Sequence, residues 1–184
     1  LALFSIGATV VPLDYMLTED ELVSCLTHCE AKALIAKEKE RLSLENLKKR
    51  VPSLENIIAF EGTNSRYQSF QDVLASGRPL PAQNIKIEES DHALIMYTSG
   101  TTGSPKGILL NYKHLDGSPK AMEYFVDLTD KDVKISALPL SHSGGLVYIQ
   151  NCICYGITLV VMERFQPLEF LRNIQKYKVT CFHL

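Results

Sequence analysis

The chain has 184 residues, a length that suits one domain or a large piece of one, and 46 % of them are hydrophobic and 22 % charged, as in a folded protein with a core. A formal net charge of −2 favours neither nucleic acid nor an anionic membrane as a partner. Five cysteines, an odd number, without a secretory signal predict a reduced, cytoplasmic setting, and the longest apolar stretch, residues 146–161, is too short and too interrupted for a transmembrane helix.

The first half of the chain predicts short strands that alternate with helices. Thr18 and Glu21 have the spacing of a capping box, and apolar residues follow them at helical intervals. Glu45 and Lys49 lie one turn apart in a charged run that predicts another helix. The predicted strands are residues 8–14, 31–36 and 56–60, and the predicted helices begin after Thr18 and cover residues 37–50 and 67–77.

The second half continues the alternation and decides the predicted fold class. Helices are predicted around residues 120–127 and over 144–156 and 166–178, and strands over 92–98, 106–111, 132–140, 157–163 and 179–184. This order predicts an α/β fold with a largely parallel sheet flanked by helices. Because all of these strands except 106–111 are continuous apolar runs, we expect those four to share one sheet that is covered on both faces.

The segment "YTSGTTGSPKG", residues 97–107, places hydroxyl groups, glycines and one lysine directly after an apolar strand. Glycines let backbone N–H groups converge on an anion, and Lys106 adds a positive charge, so the segment predicts a phosphate-binding loop. It is not a Walker A loop, because that pattern needs glycine where Pro105 stands and Ser or Thr where Gly107 stands. We expect the loop to be exposed and poorly ordered without nucleotide.

The same segment closely resembles the phosphate-loop signature of the adenylate-forming enzymes, which include acyl-CoA synthetases, luciferases and the adenylation domains of peptide synthetases. Three other stretches resemble segments of this family in order and spacing: "GATVVPLDYMLTEDEL", "ALPLSHSGGL" and "QPLEFLRNIQKYKVT". Ser141 is a departure, because the family often has an aromatic residue at this position. The resemblance covers nearly the whole chain and favours the acyl-CoA branch, fatty-acid–CoA ligases among them.

The resemblance implies a two-step ligase that uses ATP to activate a carboxylic acid and then passes the acyl group to coenzyme A. It implies catalytic roles for Lys106 and His142, and substrate contacts for His142, Gly144 and Gly145. It also implies a set of residues that hold the nucleotide phosphates: Thr98, Ser99, Gly100, Thr101, Thr102, Gly103 and Lys106.

The resemblance also implies what this chain does not contain. The adenine and Mg²⁺ sites, the ribose-binding aspartate and the lysine of a small C-terminal domain lie later in the family. We therefore expect residues 1–184 to be an incomplete piece of a larger N-terminal AMP-binding domain, without the C-terminal lysine-bearing domain and inactive alone. The expected partners are a small-molecule carboxylic acid, ATP and coenzyme A, and the sequence leaves homo-oligomerisation open.

Other interpretations remain open at this stage. The acyl group could pass to a carrier protein instead of coenzyme A, or the chain could be a nucleotide-binding module without catalysis. Cys25, His28 and Cys29 resemble metal ligands in type, but one helical turn separates the cysteines among apolar neighbours and no second ligand pair follows, so core packing is the better interpretation. No metal site is predicted within the chain.

Overall fold

The structure, a computed structural model, describes residues 1–37, 42–60, 66–78, 85–98, 106–115, 117 and 127–182. The helices in these ranges are α1 (Ala2–Ser5), α2 (Glu19–His28), α3 (Leu44–Arg50), α4 (Phe70–Ser76), α5 (Ser143–Tyr155) and α6 (Pro167–Tyr177). The strands are β1 (Ala33–Ala36), β2 (Asn56–Ala59), β3 (Gln68–Ser69), β4 (His92–Thr98), β5 (Lys106–Asn111), β6 (Val133–Ser136), β7 (Thr158–Val161) and β8 (Cys181–Phe182).

The chain divides into two units, each with its own core. The first unit comprises Leu1–Asp14, Lys86–Met96 and Leu109–Leu184, and the second comprises Tyr15–Ile85 and Tyr97–Ile108. The chain passes from the first unit to the second within β4 and returns within β5. The strands β4 and β5 pair with each other in a two-stranded sheet.

The second unit is built on a parallel sheet in the order β1-β2-β3. Its helix α2 begins at a capping box, in which the Thr18 hydroxyl accepts from the backbone N–H of Glu21 and the Glu21 carboxylate accepts from the backbone N–H of Thr18. Arg50 at the end of α3 pairs with Glu19 and Asp20 in the first turn of α2. The core of the unit consists of side chains at most 6 % exposed: Cys25, Leu26, Leu44, Leu47, Val51, Leu54, Ile57 and Ala59.

The first unit contains a parallel sheet in the order β7-β6-β8, with Ile135 of β6 opposite Val160 on one side and Phe182 on the other. Ile135, Met162 and Phe170 form the core against this sheet. A second cluster, Ala93, Leu94 and Met96 of β4, packs with Phe4, Val10, Leu110, Tyr112, Leu115 and Leu146. A helical turn at residues 112–115 follows β5.

The predicted fold class is confirmed, because the protein is an α/β structure with parallel sheets and helices. The prediction that four of the strands share a single sheet is wrong. Among the described residues, β6, β7 and β8 share a sheet, whereas β4 pairs with β5 in another. Apolar runs predict that a strand is buried, but they do not specify which strand it pairs with.

Two local predictions also need correction. With the described part of the chain, residues 8–14 form only one parallel bridge, from Val10 to Leu94, and Pro12 lacks the N–H that a ladder would use. The predicted helix over 37–50 begins only at Leu44, after the Ser43 side chain caps it, and residues 38–41 lie outside the described residues. The helix predicted around 120–127 falls almost wholly outside them, and residue 127 is not helical. Across the described ranges, no helix has the length and apolar character needed to cross a bilayer.

Candidate functional site

The predicted phosphate-binding segment, residues 97–107, connects β4 to β5, and the structure describes its first two and last two residues. Tyr97 and Thr98 are the last residues of β4, and Lys106 and Gly107 are the first residues of β5. The four end residues of the predicted segment thus belong to the strands predicted over 92–98 and 106–111, and they are not loop residues. The predicted phosphate ligands between them lie outside the described residues: Ser99, Gly100, Thr101, Thr102 and Gly103.

Thr98 and Lys106, the two predicted phosphate ligands that the structure describes, both belong to the second unit and both are exposed. Within the described part of the chain, Lys106 forms no ion pair, so its ammonium group is available to an anion from solution. A hydroxyl and an ammonium group on two paired strands suit the oxygen atoms of a phosphate group.

Tyr97 is anchored on α2 within the second unit. Its hydroxyl donates to the backbone carbonyl of Cys25 at 3.0 Å and lies 2.8 Å from Nδ1 of His28. Burial raises the pKa of Tyr97 above its ordinary value, which keeps the phenol protonated. Sequence reasoning singled out neither this contact nor its role, because 69 residues separate His28 from Tyr97.

Cys25 of α2 packs in the core, as the sequence predicted, whereas Cys29, the C-cap residue after α2, is only partly buried. Cys25 is 2 % exposed, and burial raises the pKa of both the Cys25 and the Cys29 thiol above the usual value. Within the ranges that the structure describes, no group of three or more His, Cys, Asp or Glu side chains could hold a metal ion. These residues therefore do not fit a Mg²⁺ site by themselves, since this ion prefers carboxylate oxygens and water.

His142 lies in the first unit and is the N-cap residue of α5, although its imidazole makes no capping hydrogen bond. Its Nε2 lies 3.7 Å from a carboxylate oxygen of Asp14, a distance that gives an ion pair when the imidazole is protonated. The hydroxyl of Ser141 donates to the same oxygen at 3.4 Å. His142 is largely exposed, so the imidazole is accessible to a substrate while Asp14 faces one edge of it.

Asp14 is a candidate that sequence reasoning missed. It ends the segment "VVPLD", within one of the stretches on which the sequence resemblance rests. Nothing in the local pattern indicates that this residue meets Ser141, which lies 127 positions later.

Gly144 and Gly145 open α5 where the helix approaches the preceding segment of its own chain. A Cβ atom on Gly145 would lie 2.4 Å from the carbonyl oxygen of Pro139 and 2.8 Å from Cα of Leu140. A Cβ atom on Gly144 would lie 2.9 Å from the end of the Leu138 side chain. Packing alone therefore requires glycine at position 145, and contact of the two glycines with a substrate stays a prediction.

The predicted site residues are thus divided between the two units. Thr98 and Lys106 belong to the second unit, whereas His142, Gly144 and Gly145 belong to the first.

Comparison with known proteins matches the chain to one enzyme family. The model of a family described as "AMP-binding enzyme" matches residues 1–184. The chain is 31 % identical to a 2-succinylbenzoate–CoA ligase of Bacillus licheniformis over 179 residues, which are 97 % of this chain and 34 % of that protein. The chain therefore spans about a third of the length of this relative.

Solved structures agree with the fold described above. A long-chain-fatty-acid-CoA ligase from Archaeoglobus fulgidus superposes with a TM-score of 0.86 at 28 % identity, over 98 % of this chain and 35 % of that one. An O-succinylbenzoate coenzyme A synthetase from Bacillus subtilis in complex with ATP and magnesium ion gives a TM-score of 0.77 at 25 % identity, over 98 % and 35 % of the two chains.

Proposed function

The chain belongs to the AMP-binding enzyme family, and on this basis we propose that the full-length protein is an acid–thiol ligase that activates a carboxylic acid with ATP and transfers the acyl group to coenzyme A. The observation that carries the proposal is the position of Lys106. It is an exposed lysine at the first residue of β5, directly after the glycine-rich segment.

In the first step, a carboxylate oxygen of the acid attacks the α-phosphorus of ATP. The bond to the bridging oxygen breaks, and the products are an acyl-adenylate and pyrophosphate. Lys106, Thr98 and the residues 99–103 would bind the β- and γ-phosphates and neutralise the charge that grows on the leaving pyrophosphate. Mg²⁺, when bound, would share this charge, and its ligands are expected outside residues 1–184.

In the second step, the thiol of coenzyme A attacks the acyl carbon and AMP leaves with the electrons of the broken bond. Pyrophosphate has already departed, so the phosphate-binding residues contribute mainly to the first step. His142 is proposed to line the acyl side of the site, with Asp14 holding one edge of the imidazole. Gly144 and Gly145 keep the start of α5 close to residues 138–140, which fixes where His142 is presented.

We propose a fatty acid as the substrate. The likeness to a long-chain-fatty-acid-CoA ligase over 98 % of this chain supports this class. The 2-succinylbenzoate–CoA ligase of Bacillus licheniformis favours instead an aromatic acid with a second carboxylate. The two classes differ in charge and shape, so a direct comparison of substrates separates them.

The test is pyrophosphate release by the full-length protein with ATP and a panel of fatty acids of increasing chain length, with 2-succinylbenzoate as the comparison. We expect release that depends on a fatty acid, and a coenzyme A thioester when coenzyme A is added. Residues 1–184 alone should give no release, because they are proposed to be a partial N-terminal domain. Adenylate that passes only to a carrier protein would identify the alternative ligase, and ATP binding without release for any acid would identify a nucleotide-binding module.

A further inference from the structure

The hydroxyl of Tyr97 lies between two groups of α2, the backbone carbonyl of Cys25 and the imidazole of His28. A carbonyl oxygen can only accept, so the single phenolic proton is used in the bond to Cys25. The contact with His28 is then a hydrogen bond only if Nδ1 carries a proton and donates to the phenolic oxygen. The Tyr97 hydroxyl therefore donates one hydrogen bond and accepts another, and both partners belong to α2.

The rings support the same geometry. The imidazole of His28 and the ring of Tyr97 meet edge to face, with centroids 5.7 Å apart and planes at 74°. This is a favourable arrangement for two aromatic rings. The ring contact and the short distance from Nδ1 to the phenolic oxygen thus occur together.

Helix α2 is itself well fixed in the second unit. Its N-terminus has a complete capping box, and Arg50 of α3 pairs with Asp20 at 2.6 Å and with Glu19 at 3.2 Å. Its C-terminal half contributes Cys25 and Leu26 to the core, each 2 % exposed. A group that is bonded to this helix is thus held at a defined place.

We infer that His28 and Tyr97 are positioning residues of the proposed ATP site, because their hydrogen bond fixes the end of β4 that carries Thr98. The inference rests on the proposed function. Thr98, the exposed neighbour of Tyr97, is a predicted phosphate ligand, and its backbone is held in place by the bonds of Tyr97. Neither His28 nor Tyr97 needs to touch the nucleotide for this role.

The first arm of the experiment removes the hydrogen bond from each side in the full-length protein. Tyr97→Phe keeps the ring and removes the hydroxyl, and His28→Leu removes the donor. Loss of one such bond should raise the KM for ATP and the Kd for ATP, measured by calorimetry, about 2- to 10-fold. The KM for coenzyme A should not change. The double variant should be no worse than Tyr97→Phe alone, because that change already removes the bond to His28 together with the bond to Cys25.

The second arm supplies a rescue and a matched control. His28→Asn keeps a side-chain N–H close to the position of Nδ1 and should restore ATP affinity to near the wild-type value. His92→Asn makes the same change at the exposed first residue of β4 and should leave ATP affinity unchanged. A rise in the KM values for ATP and coenzyme A by the same factor, or a His28→Asn protein as weak as His28→Leu, would overturn the inference.

The outcomes also separate this inference from the proposed function. A wild-type protein that binds ATP but forms no adenylate refutes the proposed function alone, and the calorimetric arm still decides the role of the pair. Equal ATP affinities in Tyr97→Phe, His28→Leu and His92→Asn refute the inference alone. A wild-type protein that does not bind ATP refutes both.

Discussion

Replacement of Gly145 by alanine is expected to destabilise the protein although it adds only one methyl group. Alanine is better than glycine inside a helix by roughly 0.5–1 kcal/mol, which by itself would stabilise α5. However, the new Cβ would lie 2.4 Å from the Pro139 carbonyl oxygen and 2.8 Å from Cα of Leu140, both backbone atoms that cannot rotate away. Overpacking of this kind costs about 1–3 kcal/mol. We therefore expect a net loss of about 1–2 kcal/mol.

Gly144→Ala is the matched control on the same helix. Its Cβ meets only the end of the Leu138 side chain, at 2.9 Å, and that side chain can move to another rotamer. The helix preference for alanine then offsets most of the cost, so the stability should change by less than about 0.5 kcal/mol. Neither glycine has a positive φ, so alanine meets no backbone strain at either position.

Calorimetry of the full-length proteins measures the difference. Gly145→Ala should lower the melting temperature by about 1–2 °C, from about 1 °C per kcal/mol for a chain some three times as long as this one, whereas Gly144→Ala should stay near the wild type. Since His142 directly precedes α5, Gly145→Ala should also slow acid-dependent pyrophosphate exchange. Equal melting temperatures for the two variants would refute the packing argument.

Two further predictions use other contacts of the first unit. The Thr180 hydroxyl donates to Asp132 at 2.7 Å and lowers the pKa of that carboxyl. The bond therefore stabilises the fold fully above the ordinary carboxyl pKa of about 3.9. This stabilisation is lost as the pH falls through the lowered pKa. Thr180→Val should therefore melt earlier than wild type at pH 7. The difference should shrink in strong acid without vanishing, because the Thr180 hydroxyl also accepts from the backbone N–H of Val133 at 3.1 Å. A difference that is independent of pH in calorimetry would contradict this. Asp14→Asn removes the charge beside His142. It should slow acid-dependent pyrophosphate exchange about 2- to 10-fold, with little change in melting temperature. An unchanged exchange rate would show that the carboxylate does not assist the imidazole.

Local chemistry made part of the fold predictable. The capping box of Thr18 and Glu21 involves residues three positions apart, and the structure confirms it. The strands β4 and β5 coincide with the predicted runs at residues 92–98 and 106–111. The pairing of β4 was not predictable in the same way, because its continuous apolar pattern satisfies any buried sheet.

The candidate site likewise has a part that the sequence predicts and a part that it does not. Its motif residues could be proposed from short segments, since the phosphate-loop signature and the residues around His142 are contiguous in sequence. The contacts that position them are distant in sequence. Asp14 meets Ser141 across 127 residues, and His28 meets Tyr97 across 69. Only the folded chain reveals such pairs.

The central claim is that the segment 97–107 neutralises the leaving pyrophosphate during acyl-adenylate formation. The most direct measurement compares two half-reactions in the full-length protein and in the variant that combines Thr101→Ala with Lys106→Ala. The halves are acid-dependent ATP–pyrophosphate exchange and thiol transfer from supplied acyl-adenylate. We predict that exchange falls by at least about 10²–10³-fold, while thiol transfer changes much less, because pyrophosphate is absent from the second step. Exchange at the wild-type rate, or an equal loss in both half-reactions, would contradict the claim.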